Sequence, residues 1–220
     1  MATKDIADST TSPSPFEEGT MLRGGHNTDP PLPENSPTVN YKLNHLMLRI
    51  RDPKRTLHFY IDLMGMRTVF TMNAGPFTLY YLGYPTTEAD RADLPTWASK
   101  VPITQTLGLL ELFHIHGTES APDFEISNGN IPPHLGFGHV GFTVPDVAAT
   151  VARLRSNGVP VIKELGDSSR ESVPLSEWEA ERGIGIGELH PNYKKLVDQI
   201  AYVADPDGYI VELIPQNLQK

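Results

Sequence analysis

Two histidines and two glutamates occupy matching places in the two halves of this chain, and together they could bind a metal ion. His45 and Glu111 belong to the first half, whereas His139 and Glu212 belong to the second. Two neutral imidazoles and two carboxylates form a charge-neutral set of ligands around a divalent cation, and their donor atoms suit zinc, nickel, cobalt or iron. The repetition predicts a duplicated unit in which each copy supplies two ligands.

The sequence after each histidine predicts a strand that leads into a capped helix. An aspartate follows seven residues later, at Asp52 and at Asp146, and aspartate is a preferred helix N-cap. Apolar residues at helical spacing come next and stop at Gly65 and Gly158, which are expected to end the helices. Each half should therefore open with a strand, a helix and a glycine turn.

The glutamates lie in short apolar strands late in each half. Glu111 falls within residues 109–115 and Glu212 within residues 209–214, and the segment 205–208 predicts a hairpin turn before the second strand. Side chains alternate along a strand, so each glutamate shares its face with apolar neighbours, where an unpaired carboxylate is costly and a cation would remove the cost. The predicted site faces are those of His45, Met47 and Arg49 and of Leu109, Glu111, Phe113 and Ile115.

Several motifs resemble those of glyoxalase I, also called lactoylglutathione lyase. They include residues 47–54 (MLRIRDPK), 136–139 (GFGH), 144–147 (VPDV) and 205–209 (DPDGY), and the similarity covers about residues 41 to 216. The resemblance implies the α+β fold of the vicinal oxygen chelate superfamily, in which two tandem βαβββ modules form a half-open barrel around the metal. It also implies that the four ligands are His45, Glu111, His139 and Glu212.

The same resemblance implies a homodimer with active sites at the subunit interface. Each site would combine His45 and Glu111 of one chain with His139 and Glu212 of the other. One divalent ion is expected per site, with zinc preferred and nickel or cobalt as alternatives.

The expected reaction moves a proton between adjacent carbons of the substrate. A metal acting as a Lewis acid can stabilise an enediolate by several kcal/mol, and a carboxylate beside it can take and return the proton. Glu212 is the first choice for this base and Glu111 the second.

The substrate positions depart from the family pattern. By alignment, Arg49 and Lys163 keep two glutathione contacts, but Ile115 and Leu135 replace an Asn and an Arg of the family. A charge-assisted hydrogen bond contributes about 1.5 to 3 kcal/mol, so glutathione binding would be weakened. We therefore favour a glutathione-free hydroxyketone or enone, such as a toxin or xenobiotic that is detoxified. The alternative is the hemithioacetal of methylglyoxal and glutathione. Predicted substrate-binding residues are Arg49, Met47, Phe113, Ile115, Leu135, Lys163 and Trp178.

The sequence divides into an arm and one domain. Residues 1–40 hold six of the twenty prolines and no periodic apolar face, which predicts a flexible arm. Residues 41–220 form the glyoxalase-like domain, with module one at about 41–130 and module two at about 131–220. Residues 164–197 are an insertion that is expected to act as a lid, with a helical run at 174–182 and a glycine-rich hinge or turn at 183–187.

Composition and ligand number weigh against other classes. The net charge of −9 argues against nucleic acids and anionic membranes as partners, and no apolar run is long enough for a membrane span or a signal peptide. Because the N-terminus also lacks the Arg-rich amphipathic character of a transit peptide, the cytoplasm is the expected compartment, and the expected partner is a small-molecule substrate. The chain has no cysteine, which excludes disulfides, a thiolate nucleophile and a zinc finger. Binding proteins of this fold generally lack the metal ligands, and its dioxygenases use three ligands and iron, so both rank below the isomerase.

Overall fold

The chain folds into two modules with the same order of elements, as seen in a computed structural model that describes residues 16–22, 29–173 and 177–219. Each module runs strand, helix and three further strands, and its first strand pairs in parallel with its last. All other strand pairs in these residues are antiparallel. The predicted α+β fold of two tandem βαβββ modules is confirmed.

Module one contains a four-stranded sheet in the order β1-β4-β3-β2. Its strands are β1 (His45–Ile50), β2 (Arg67–Asn73), β3 (Phe77–Gly83) and β4 (Leu109–Ile115), and helix α1 (Pro53–Leu57) follows β1. Two short helices, α2 (Glu88–Ala92) and α3 (Leu94–Lys100), connect β3 to β4. Neither was predicted from the sequence, because neither has a buried apolar stripe.

Module two contains the matching sheet in the order β5-β8-β7-β6. Its elements are β5 (His139–Val144), α4 (Val147–Ser156), β6 (Val161–Lys163), β7 (Ala201–Ala204) and β8 (Ile210–Pro215). The insertion between β6 and β7 carries α5 (Glu177–Glu181) and α6 (Pro191–Val197). Helix α5 falls inside the predicted run 174–182, of which residues 174–176 lie outside the described residues.

The predicted helix caps are present in both modules. Asp52 accepts a hydrogen bond from the Lys54 backbone, and Asp146 accepts one from the Ala149 backbone. Gly65 and Gly158 adopt φ values of +80° and +78°, which end the helices. In module one the helix continues beyond α1 as a π-helical turn at His58–Leu63, so its geometry differs from the single α-helix that the apolar stripe predicted.

Both modules share one hydrophobic core, which lies between the helix-bearing faces of the two sheets. Leu110 and Leu112 of β4 and Val211 and Leu213 of β8 are buried in it. Because neighbouring side chains on a strand point to opposite faces, the glutamates between these residues point away from the core. The site faces of the two sheets therefore lie on the sides away from the shared core.

A polar junction ties the modules together at the segment 205–208. The Tyr60 hydroxyl donates to Asp205 Oδ2 at 2.9 Å, and the Thr56 hydroxyl donates to Asp207 Oδ2 at 2.7 Å. The predicted hairpin turn is confirmed, since Gly208 N donates to Asp205 O at 3.0 Å and Gly208 has a φ of +87°. This turn thus joins β7 to β8 and also binds module two to the helix of module one.

The described part of the arm contains no helix or strand, and it contacts the insertion. Asn192 Nδ2 at the start of α6 donates to Gly19 O at 3.1 Å, and Gly19 packs against the ring of His190. Residues 1–15 and 23–28 lie outside the described residues, so the flexibility predicted for the arm stays a prediction. Among the described helices, none has the length and apolar content needed to cross a bilayer.

Candidate metal and active site

Strand register brings a histidine, a glutamate and a tyrosine together in module one. Glu111 lies opposite Met47 on β1 and opposite Tyr81 on β3, and His45 precedes Met47 on the same face. His45 Nε2 lies 3.0 Å from Glu111 Oε2, and the Tyr81 hydroxyl donates to the same oxygen at 2.7 Å. Glu111 is 8% exposed, so its carboxylate is held in a largely dry environment.

Asn44 determines which nitrogen of His45 faces the carboxylate. Its Nδ2 donates to Ile103 O at 2.7 Å and to Thr106 O at 2.6 Å, which assigns Oδ1 as the atom 2.7 Å from His45 Nδ1. A carbonyl oxygen only accepts, so His45 Nδ1 carries the proton and Nε2 of the neutral imidazole presents a lone pair. Two acceptors, Nε2 and the carboxylate oxygen, then face each other and need a proton or a cation between them.

Module two repeats the arrangement of histidine, glutamate and tyrosine, but Gly138 stands where Asn44 precedes the histidine in module one. Glu212 lies opposite Gly141 on β5 and opposite Tyr202 on β7. His139 Nε2 lies 3.2 Å from Glu212 Oε2, and the Tyr202 hydroxyl donates to Glu212 Oε1 at 3.3 Å. The two pairs are related by the duplication, as the sequence predicted.

Both tyrosine hydroxyls remain protonated donors. Burial, followed by the hydrogen bond to Glu111, raises the pKa of Tyr81 to about 12. Burial also raises the pKa of Tyr202, and the negative charge of Glu212 adds to the effect. At neutral pH each phenol can therefore donate to its carboxylate.

The structure forms two pairs of ligands and not one set of four. Within the described ranges, no three histidine, aspartate or glutamate side chains lie close enough to hold a metal ion. His45 and His139 are each about one third exposed, on faces that look away from the shared core. Within the described part of the single chain, the two pairs therefore do not meet.

The donor sets fit a divalent metal. Each pair offers one imidazole nitrogen and one carboxylate oxygen, and two pairs together give the four nitrogen and oxygen donors that suit zinc, nickel or cobalt. In module one the hydrogen bond from His45 Nδ1 to Asn44 is of the kind that fixes the ring of a metal-binding histidine.

Four predicted substrate residues lie beside the module-one pair. Arg49 extends over the Phe113 ring, with its guanidinium carbon 5.7 Å from the ring centre, and Phe113 stacks on Phe77 at 4.7 Å. Met47 and Ile115 occupy the same sheet face. This sheet face therefore combines stacked aromatic rings with the positive charge of Arg49 at its edge.

The other three predicted substrate residues lie away from the module-one pair, although Lys163 belongs to the module-two site face, where it lies opposite Tyr202. Lys163 is 1% exposed, and its ammonium donates to the backbone carbonyls of Glu164, Val197 and Ile200. In this conformation Lys163 fastens the insertion to the sheet and has no surface for a substrate. Leu135 is exposed in the loop before β5. Trp178 on α5 is also exposed, and the guanidinium carbon of Arg182 lies 4.2 Å from the centre of its ring.

Four residues of the site, Asn44, Tyr81, Tyr202 and Tyr193, were not predicted from the sequence. Tyr81 and Tyr202 each lie on the strand that comes before the glutamate strand of their module. This repeat is visible in the sequence, but only the histidines and glutamates of the two halves were compared. Tyr193 lies on α6 of the insertion, and burial together with the nearby Glu212 charge raises its pKa. The insertion therefore places a tyrosine near enough to Glu212 to sense its charge.

Comparison with known proteins points to one family. The family described as Glyoxalase/Bleomycin resistance protein/Dioxygenase superfamily matches residues 42–173. Glyoxalase I from Saccharomyces cerevisiae is 34% identical over 183 residues, which cover 82% of this chain and 46% of the yeast protein. Lactoylglutathione lyase from Pseudomonas putida is 32% identical over 182 residues, which cover 80% of this chain and 86% of that protein. The chain thus spans about half of the yeast relative and most of the bacterial one.

A solved structure agrees at the level of the fold. Glyoxalase I from Zea mays matches with a TM-score of 0.50 and 21% identity, over 81% of this chain and 46% of that one. The matched family covers more than half of the chain, and the bacterial relative is matched over most of its length. The chain belongs to the glyoxalase/bleomycin resistance protein/dioxygenase superfamily, which is the vicinal oxygen chelate superfamily that its motifs resemble.

Proposed function

We propose that this protein is a metal-dependent isomerase of the glyoxalase I type. The observation that carries the proposal is the pair of matched histidine and glutamate sites, in each of which an imidazole nitrogen and a carboxylate oxygen lie about 3 Å apart. A bound divalent ion would polarise the substrate carbonyl and make the neighbouring C–H more acidic. His45, Glu111, His139 and Glu212 would hold that ion.

The protein residues would then perform the proton transfer. Glu212 takes a proton from the carbon next to the carbonyl and returns it to the adjacent carbon, so that no redox cofactor is needed. Glu111 holds the opposite side of the site and is the second candidate for the base. Removing either carboxylate should abolish turnover, but Glu212→Gln should retain more metal than Glu111→Gln if Glu212 is mainly the base.

We further propose that the active site is shared between two copies of the chain. The edge strands β1 and β5 carry the two histidines, and the site face of module one exposes Met47, Phe70 and Met72. A second copy that places its module-two face against this surface would cover these apolar groups and complete the ligand set. Homodimers are also the assembly that the family resemblance implies.

A heterodimer of two inactive variants tests the shared site. His45→Ala and His139→Ala would each remove one ligand from every site of a homodimer. Co-expression with two different affinity tags isolates the mixed dimer, in which one site lacks both histidines and the other is complete. Purified mixed dimer should regain about half of the wild-type activity. A mixed dimer as inactive as its parents, or a monomeric active protein, would rule out the shared site.

Metal content is tested directly. Protein freed of metal, refilled with zinc, nickel or cobalt and then separated from free ions should retain about one ion per chain by elemental analysis. Zinc is the first expectation. A well-folded sample that retains none of the three would exclude the proposed chemistry.

Two substrate classes follow from different observations. The relatives at 32–34% identity are named glyoxalase I or lactoylglutathione lyase, which favours the hemithioacetal of methylglyoxal and glutathione. The buried Lys163, together with Ile115 and Leu135 at former polar positions, favours a glutathione-free hydroxyketone or enone that is detoxified. The names of the relatives lead us to place the hemithioacetal first, which reverses the preference from sequence.

Glutathione dependence separates the two classes. Metal-loaded protein is assayed on methylglyoxal with and without glutathione, and Arg49→Ala is assayed beside it. Strict dependence on glutathione, with KM raised in Arg49→Ala, would support the hemithioacetal. Absence of turnover with glutathione, combined with turnover of an unconjugated hydroxyketone, would instead support the second class.

A further inference from the structure

Each ligand pair has a tyrosine that the proposed chemistry does not yet use. Tyr81 and Tyr202 lie on the strands next to the glutamate strands and in direct register with Glu111 and Glu212. Each hydroxyl donates to the carboxylate opposite it. The contact is therefore repeated by the duplication, like the ligands themselves.

The two contacts differ in length and in the oxygen that they reach. The Tyr81 hydroxyl lies 2.7 Å from Glu111 Oε2, the oxygen that also faces His45 Nε2. The Tyr202 hydroxyl lies 3.3 Å from Glu212 Oε1, whereas Oε2 faces His139. A hydrogen bond to a carboxylate is strongest near 2.6 Å, so Tyr81 holds its partner more firmly than Tyr202 does.

The residues opposite the glutamates on the edge strands also differ between the modules. Met47 lies opposite Glu111 on β1, whereas Gly141 lies opposite Glu212 on β5. Glu212 Oε2 lies close to the backbone of Gly141, since a Cβ at this position would be 3.3 Å from that oxygen. The edge strand therefore borders Glu212 with backbone alone, whereas the strand beside Glu111 carries a side chain.

We propose that Tyr81 and Tyr202 are positioning residues that give the two carboxylates different roles. Tyr81 fixes Glu111 as a stationary metal ligand, and Tyr202 orients Glu212 while leaving it free to exchange a proton with the substrate. This inference rests on the proposed metal-dependent isomerase. It adds two residues of this chain that orient the ligands without touching the ion.

Phenylalanine variants remove only the hydroxyl and so test the proposal. Tyr81→Phe and Tyr202→Phe are compared with Tyr80→Phe, a neighbour on the opposite face of β3 that packs against the core. Metal affinity is measured by competition between the protein and a chromophoric chelator for Zn²⁺, and the ligand field by the visible absorption spectrum of Co²⁺. Turnover is measured with saturating metal.

The expected results rank the variants. Tyr81→Phe should lose on the order of 10- to 100-fold in zinc affinity and shift the Co²⁺ spectrum. Tyr202→Phe should lose clearly less affinity but lower kcat with little change in KM, and Tyr80→Phe should match the wild type. The proposal is wrong if Tyr81→Phe binds zinc like Tyr80→Phe, if Tyr202→Phe loses as much affinity as Tyr81→Phe, or if Tyr202→Phe keeps the wild-type kcat.

Failure of the proposed function has a different signature. Wild-type protein that binds metal, shows the predicted affinity ranking and turns over none of the substrates would disprove the isomerase while supporting the Tyr81 contact. Wild-type protein that binds no ion would overturn both.

Discussion

Asp205 should make the stability of the fold fall as pH rises from 4 to 7. The residue is 4% exposed, and burial, reinforced by the nearby charge of Asp207, raises its pKa from 3.8 to about 6. The folded state thus binds this proton more tightly than the unfolded state does. Its contribution to stability is full below about pH 4 and is lost as pH rises through 6. A shift of about 2 pKa units corresponds to about 3 kcal/mol.

The substitution Asp205→Asn isolates this contribution because it preserves the shape and most hydrogen bonds. The backbone N–H groups of Asp207 and Tyr209 both donate to Asp205 Oδ1, which an amide oxygen can replace. Tyr60 donates to the other oxygen, and its hydroxyl can instead accept from the amide NH₂. The variant should therefore fold and should lack the proton linkage.

Urea unfolding at several pH values measures the effect. The free energy of unfolding of Asp205→Asn, minus that of the wild type, should rise by about 3 kcal/mol between pH 4 and pH 7. Asp123→Asn is the control, because this carboxylate is exposed and the difference from wild type should change little. Parallel curves of unfolding free energy against pH for wild type and Asp205→Asn would refute the argument that burial raises the pKa of Asp205.

Two further substitutions test the site and the backbone. Asn44→Leu should lower zinc affinity about tenfold because it removes the oxygen that orients His45, and an affinity equal to that of the wild type in chelator competition would contradict this role. Gly129→Ala should lower the free energy of unfolding by about 2 to 3 kcal/mol, because φ is +81° and a Cβ would lie 2.4 Å from Phe137 O. Gly117→Ala, with φ of +100° but open space, should cost only about 1 kcal/mol, and equal costs in urea unfolding would show that the Phe137 contact is irrelevant.

The repeated elements of the fold could be predicted because local chemistry specifies them. Asp52 and Asp146 cap helices, and Gly65 and Gly158 end them, whatever the rest of the chain does. Strand alternation likewise predicts that Arg49 lies on the face of His45, since the two are four positions apart on one strand. The π-helical turn after α1 escaped prediction because its apolar spacing resembles that of an ordinary helix.

The contacts within the site were harder to predict because strand register brings distant residues together. Tyr81 is thirty positions from Glu111 in the chain, yet the β3–β4 pairing places them side by side. Lys163 shows the opposite case, since alignment with the family suggested a substrate contact whereas its backbone partners across the insertion bury it. Sequence similarity conveyed the residue type at this position but not its environment.

The two modules have diverged in ways that divide the work of the proposed site. Module one supplies a firmly held carboxylate and a surface formed by Arg49 and Phe113, which are features suited to binding. Module two supplies a carboxylate with a longer tyrosine hydrogen bond, and its insertion brings Tyr193 near Glu212, which are features suited to proton transfer and to its control. If each site combines module one of one chain with module two of another, one module supplies the binding residues and the other supplies the proton-transfer residues. Neither module then has to carry both sets. Changes in the insertion should then alter kcat and substrate choice more than metal affinity, because Tyr193 of the insertion lies near Glu212, the carboxylate proposed to transfer the proton.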